Sequence, residues 1–290
     1  MPSSAEFPGQ PLYLISNILN KEIFFHVGLG KTGTTYLQYK VFPKLKDIFY
    51  IQRTRYKNSL QIIERSSQTK ILVSNEFDRQ LEQEAKWFSA KYPEAKVIIV
   101  FRRHDSWIAS QYRRFVKNGF YKDFSDFFDI DNDMGEWKRS ELNYSGKIQI
   151  IEKYFTHKPL VLFYEDMKRD PYGFLDTIAR FTKTDYDKEE VSLSPIHRSY
   201  NEKQLRIFRK LGKVIFRYHI PKARQPVIKW LQRISKQSIQ YPLLYGALLV
   251  PDKFVSKEPL IPEEQLQRIR SYFEEDWNQC IGFAKRNNPS

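Results

Sequence analysis

Cysteine is almost missing from this chain: Cys280 is the only one in 290 residues. An intrachain disulfide and a cysteine-cluster metal site are both excluded, and a reducing compartment, the cytoplasm, is the expected setting. Long apolar runs are missing too. The longest, Leu243 to Val250 between Pro242 and Pro251, is far shorter than the about 18 residues of a spanning helix. It reads either as a buried helical turn, the commoner fate of such runs, or as a surface that touches a bilayer. Met1 to Asn20 has no basic segment leading into an apolar stretch, so no signal peptide is expected. Acidic residues are the scarcer sign, 34 Asp and Glu against 48 Lys and Arg, which leaves a net charge of +14. Such an excess favours polyanionic partners, whether nucleotide phosphates, nucleic acid, acidic glycans or an anionic membrane surface, and does not choose among them.

What is present is a full core's worth of apolar residues, 41% hydrophobic and 16% aromatic. One domain over residues 1–290 is expected, with an α/β core at 21–185 and a basic helical extension at 186–290. Short apolar runs rich in β-branched and aromatic residues recur at Glu22–Val27, Asp47–Ile51, Lys70–Ser74, Lys96–Phe101 and Pro159–Tyr164 and read as buried strands. Amphipathic stretches lie between them, such as Leu81, Ala85, Phe88 and Trp107, Ile108, Tyr112, Phe115. Strands alternating with helices predict a P-loop-like parallel β-sheet flanked by helices, with ligands beyond the carboxyl ends of the strands. After Asp185 the pattern predicts basic helices at Asn201–His219, Lys222–Ser238 and Pro262–Lys285.

The first predicted strand runs into Gly28-Leu29-Gly30-Lys31-Thr32-Gly33-Thr34-Thr35 and then into helical Tyr36-Leu37-Gln38. Strand, glycine-rich turn and helix start together form an anion site, in which glycines let backbone N–H groups approach oxygen atoms and Lys31 and the threonines add donors. A nucleoside-triphosphate loop, G-x-x-x-x-G-K-[ST], is the competitor, but its first glycine falls on Phe25. The strand that would carry a magnesium-binding aspartate ends instead in Phe101-Arg102-Arg103, which suits a phosphate and repels a metal. No metal is therefore expected, and a kinase is disfavoured.

At these residues the chain resembles the sulfotransferase family, whose loop for 3'-phosphoadenosine 5'-phosphosulfate (PAPS) reads K-[ST]-G-T-T-x-L and is met at every specified position from Lys31 to Leu37. The resemblance implies that Gly30, Lys31, Thr32, Gly33, Thr34 and Thr35 surround the 5'-phosphosulfate, with Tyr36 near the adenine. A second match is an arginine at a strand end with a serine eight positions on, Arg102 and Ser110, which in the family contact the 3'-phosphate. Relatives often carry Asn-Pro after that arginine, where this chain has Arg103-His104. Strand, Tyr164-Glu165-Asp166, then Asp170-Pro171 opening a helix is a further family pattern, one that braces the core. Arg198 is the best local match to the basic segment that closes over the nucleotide, which makes the extension the acceptor or lid region.

Sulfuryl transfer needs a group to take the acceptor's proton. The strand Ile71 to Ser74 leads to Glu76, and the family uses either a glutamate or a histidine near this strand end. Glu76 is the candidate base and Lys31 the group that stabilises the leaving oxygen; His26, His104 and His197 are the alternatives. The Ser-x-Glu form resembles the heparan-type and bacterial glycan branch more than the small-phenol branch. The implied acceptor is thus a carbohydrate or glycolipid hydroxyl, with a small hydrophobic alcohol or phenol as the alternative. Nucleic acid is not expected as a partner, although charge alone also fits a polyanion-binding module. Basic side chains from Arg206 to Arg224, interleaved with Phe208, Phe216, Tyr218 and Trp230, admit peripheral contact with an anionic membrane.

Overall fold

The computed structural model describes residues 21–194, 200–215, 238, 240–255 and 258–289. They group into two compact units, one drawn from Met1–Phe101, Tyr144–Ser194 and Gln279–Ser290, the other from Arg102–Asn143 and Pro195–Asn278.

The first unit carries five strands, β1 (Glu22–His26), β2 (Phe49–Ile51), β3 (Lys70–Ser74), β4 (Lys96–Phe101) and β5 (Leu160–Phe163). All five are strands expected from the sequence, and their four pairings are parallel, in the order β2-β3-β1-β4-β5. From β1 the chain runs to the edge strand β2, returns inward to β3 and crosses β1 to β4 and β5, so the connections leaving β1 and β4 head to opposite sides. At such a point the loops leaving two neighbouring strands diverge and open a crevice. In register His26 lies beside both Ser74 and Ile98, which puts the loops after β1, β3 and β4 at one edge.

Alternation along β1 divides the core between the two faces of the sheet. Phe24 points into a cluster with Leu37, Val41, Leu72, Val100, Leu162 and Ile178. Phe25 points the other way, stacking on Phe88 at 4.1 Å between ring centres and on Tyr56 at 5.9 Å. That stack explains why no glycine stands at position 25: the residue is a wholly buried wedge in the aromatic face. The helix Pro171–Thr182 begins as the sequence indicates, with Asp170 accepting the N–H of Gly173 at 2.9 Å and Pro171 in the first turn. The edge strand β5 is closed by Asn288, whose amide donates to the Val161 carbonyl and whose oxygen accepts the Val161 N–H.

In the second unit the helix His104–Lys117 buries Trp107, Ile108, Tyr112 and Val116 and packs against the helices Glu202–Ile215 and Glu263–Tyr272. The third basic helix foreseen in the sequence is two, Glu263–Tyr272 and Glu274–Asn287. They part at Phe273, whose ring stacks on His104 at 4.5 Å. The helix foreseen at Lys222–Ser238 lies outside the described residues except for Ser238. The apolar run Leu243 to Val250 divides its side chains: Leu244 and Ala247 are buried, whereas Leu248 and Leu249 are exposed.

Candidate functional site

The loop after β1 is fixed by backbone bonds to both neighbouring strands. Leu29 N–H donates to the Val100 carbonyl at 3.0 Å and Val100 N–H to the Gly28 carbonyl at 2.7 Å on one side, while Phe77 N–H donates to the Val27 carbonyl at 3.0 Å on the other. The loop then turns through left-handed backbone at Lys31 (φ 68°) and Gly33 (φ 86°). At Gly33 a Cβ would meet only the flexible tip of Met167, which can move aside, so it is the left-handed backbone that favours glycine there. Lys31 is exposed, Thr35 and Tyr36 are half-buried, and Thr32 turns inward, its hydroxyl donating to the Leu29 carbonyl at 2.6 Å. Tyr36 packs against the core cluster. Burial, reinforced by the neighbouring Tyr172, raises its phenol pKa.

Two carboxylates from the segment after β3 reach this loop. Glu76 Oε1 accepts the Thr34 hydroxyl at 2.7 Å and lies 3.6 Å from the Arg53 guanidinium. Asp78 Oδ1 accepts the backbone N–H of Gly30 at 2.9 Å. Both donors are thus engaged by carboxylate oxygens, for which any anion arriving at the loop would compete, and the exposed Lys31 stands in the same loop. Sequence reasoning singled out Glu76 and Thr34 but neither their contact nor Arg53 and Asp78. Thr34, Arg53 and Asp78 reach these contacts through pairing of β1, β2 and β3, and the pairs are too far apart in sequence for any local pattern to reveal.

Beneath the loop lies a buried polar cluster. His26 Nδ1 and Ser74 Oγ are 2.8 Å apart, and the Gln38 side-chain amide donates to the same hydroxyl at 3.1 Å. Burial lowers the His26 pKa to about 3, so the ring is neutral at working pH. Nearby Tyr50 has its pKa pushed up, chiefly by burial, with a hydrogen bond to Ser74 opposing the shift. His104, in the second unit, is likewise a packing residue. It stacks on Phe273 and bonds Asp276 at 2.9 Å, and burial lowers its pKa against the pull of that carboxylate. His197 and Arg198 lie outside the described residues.

The residue after β4 is Arg102, and its Nε donates to Ser106 Oγ at 2.8 Å. Ser106 stands one helical turn before Ser110, so the two hydroxyls share a face of the helix His104–Lys117. A guanidinium oriented by one serine, with a second serine a turn further on, suits an anion with several oxygens. The four-residue interval after Arg102 was the signal for Ser106, and the eight-residue family pattern passes over it. Among the described residues no group of three or more His, Cys, Asp or Glu side chains is arranged to hold a metal.

A family model described as a sulfotransferase domain matches residues 22–214. Among curated proteins no relative matches. Among solved structures, a sulfotransferase from Alicyclobacillus acidocaldarius is similar at 15% identity and a TM-score of 0.50, over 69% of this chain and 97% of its own. Mouse sulfotransferase SULT7A1 complexed with PAP is similar at 18% identity and a TM-score of 0.39, over 61% of this chain and 64% of its own.

Proposed function

Because this chain belongs to the sulfotransferase family and is a PAPS-dependent sulfotransferase, we propose that it transfers the sulfuryl group to a hydroxyl of a carbohydrate or glycolipid and releases adenosine 3',5'-bisphosphate. One observation carries the reading: Glu76 lies within hydrogen-bond reach of the loop hydroxyl of Thr34, 2.7 Å away. That contact supports the reading by keeping the candidate base beside the loop that would hold the phosphosulfate.

In this reading the acceptor O–H gives its proton to Glu76 as the acceptor oxygen bonds to sulfur. The bond from sulfur to the bridging phosphate oxygen breaks, and Lys31 offsets the charge that grows on that oxygen. Backbone and side-chain donors of Gly30, Lys31, Thr32, Gly33, Thr34 and Thr35 hold the phosphosulfate, with Tyr36 near the adenine. Arg102 and Ser110 take the 3'-phosphate, and Arg198 adds a further contact. The acceptor assignment is supported by a glutamate base in place of histidine, by the 16% aromatic content and by the +14 charge. The same reading takes residues 1–290 as one sulfotransferase domain in the cytoplasm.

Calorimetric titration with 3',5'-bisphosphoadenosine against AMP and ATP tests the donor half. Preference for the bisphosphate by about tenfold or more is expected from one charge-assisted phosphate contact, and equal affinity for AMP would overturn it. Transfer of labelled sulfate to a panel of glycans, glycolipids and phenols tests the acceptor half. Phenols as the sole substrates would sink the glycan assignment.

A further inference from the structure

A short helical stretch in the second unit is apolar on more than its buried side. Residues 240–246 are helical and continue into the tighter turn Ala247–Leu249. Gln240, Leu244 and Ala247 face inward, and the stretch is anchored to the helix Glu202–Ile215 by Gln204, whose amide donates to the Leu244 carbonyl at 3.0 Å. The outward side chains should then be polar, and they are not. Tyr245 is 59% exposed, Leu248 46%, Leu249 86% and, on the next turn, Phe254 71%. A helix apolar on both its inner and outer sides needs a second apolar environment.

The surroundings say which environment. Lys117 lies 5.1 Å over the Tyr200 ring and 5.8 Å over the Tyr241 ring, and Lys253 lies 5.1 Å over the Phe254 ring. Lys203 Nζ is 3.5 Å from the Leu248 carbonyl and pairs with Asp252. The patch thus has leucines and a phenylalanine outermost, tyrosines beside them and ammonium groups at its margin. Aliphatic tips enter acyl chains, tyrosines favour the boundary, and lysines meet anionic headgroups. A second copy of the chain fits worse, because a two-fold contact through this face would set its lysines against their own counterparts on molecules that each carry +14. An acidic glycan would match the lysines and leave Leu248 and Leu249 in water.

We propose that the face formed by Tyr245, Leu248, Leu249 and Phe254, rimmed by Lys117 and Lys253, seats this protein on an anionic lipid surface. The bilayer is the partner whether the acceptor is a glycolipid, a free carbohydrate or a small alcohol, so the inference goes beyond the acceptor assignment. No helix among the described residues is long and apolar enough to cross a membrane, and the contact is peripheral.

The test is sedimentation of the full chain with phosphatidylcholine vesicles, with and without phosphatidylserine. Binding is expected only with phosphatidylserine, and Leu249→Asp with Phe254→Asp should weaken it by about tenfold or more. Both side chains are mostly exposed, so thermal unfolding should be unchanged. Gly246 supplies a second reading, because a Cβ there meets nothing within 4 Å. A fluorophore on Gly246→Cys should shift to shorter wavelength with phosphatidylserine vesicles only. The proposal is overturned by failure of the wild-type chain to bind, by equal binding to both vesicles, or by a double variant that binds as well as wild type. A wild-type dimer that the same variant dissociates would also overturn it, in favour of a second copy.

Discussion

Thr34 donates its single hydroxyl proton to Oε1 of Glu76 across 2.7 Å, and Arg53 approaches the same oxygen to 3.6 Å. The residue of the phosphate loop and the candidate base are therefore one hydrogen-bonded unit. A phosphate oxygen arriving at the loop competes for the proton that otherwise caps the base. Glu76→Gln should lower turnover by about 10²–10⁴-fold, the usual worth of a positioned base, and leave bisphosphoadenosine affinity within a few-fold. Activity within a few-fold of wild type would remove Glu76 from the role.

Thr34→Ala should weaken bisphosphoadenosine binding and turnover together, by about tenfold each for one charge-assisted hydrogen bond. Thr34→Ser keeps the hydroxyl and should recover most of both. A serine variant as impaired as the alanine variant would assign the threonine to packing, since its side chain is buried.

Arg102 is turned toward Ser106. Arg102→Ala should erase the preference for bisphosphoadenosine over AMP while leaving AMP affinity in place, a loss of about tenfold or more. Ser106→Ala should lower the same preference by a few-fold, because the guanidinium loses its brace and not its charge. Equal losses for both nucleotides would place Arg102 outside the 3'-phosphate site.

Gly33→Ala should destabilise the fold by about 1–3 kcal/mol in urea unfolding, chiefly from left-handed backbone, with a smaller part from displacing the tip of Met167. Adding Met167→Ala should relieve the clash and leave the backbone strain. Complete recovery in the double variant would show that the backbone at Gly33 is unstrained.

His26 makes stability depend on pH. Burial holds its folded pKa near 3, below an unfolded value of about 6.5. As pH falls through about 6.5 the unfolded chain takes up a proton that the folded protein refuses. Stability is thus fully present above that pH and declines below it, by up to about 1.4 kcal/mol per unit from this residue, until the folded pKa is reached. Urea unfolding at several pH values should show a shallower decline in His26→Gln. Parallel curves would mean that His26 does not supply the slope.

The sheet was legible because each strand is a short β-branched and aromatic run, and the observed strands differ from the expected spans only by a residue or two at some ends. The glycine-rich loop was legible because its three glycines and its lysine fall within six residues, Gly28 to Gly33. Arg53, Asp78 and Ser106 were harder to see, since the first two meet the loop only through strand pairing and the third is masked by a family pattern that names Ser110. The divided exposure of Leu244 and Leu249 was not legible at all. In a run with no polar residue, the spacing that would tell an inner face from an outer one is lost.

Phe25 also bears on what this scaffold can become. Truncating a buried aromatic costs about 3–5 kcal/mol, a large share of the about 5–15 kcal/mol that holds a domain folded. A single substitution installing glycine there, toward the loop of a nucleoside triphosphatase, would remove the centre of the stack with Phe88 and Tyr56. The route to such an enzyme is blocked by foldability before activity is ever tried, and the chain's commitment to its donor is written into its packing as well as its charges.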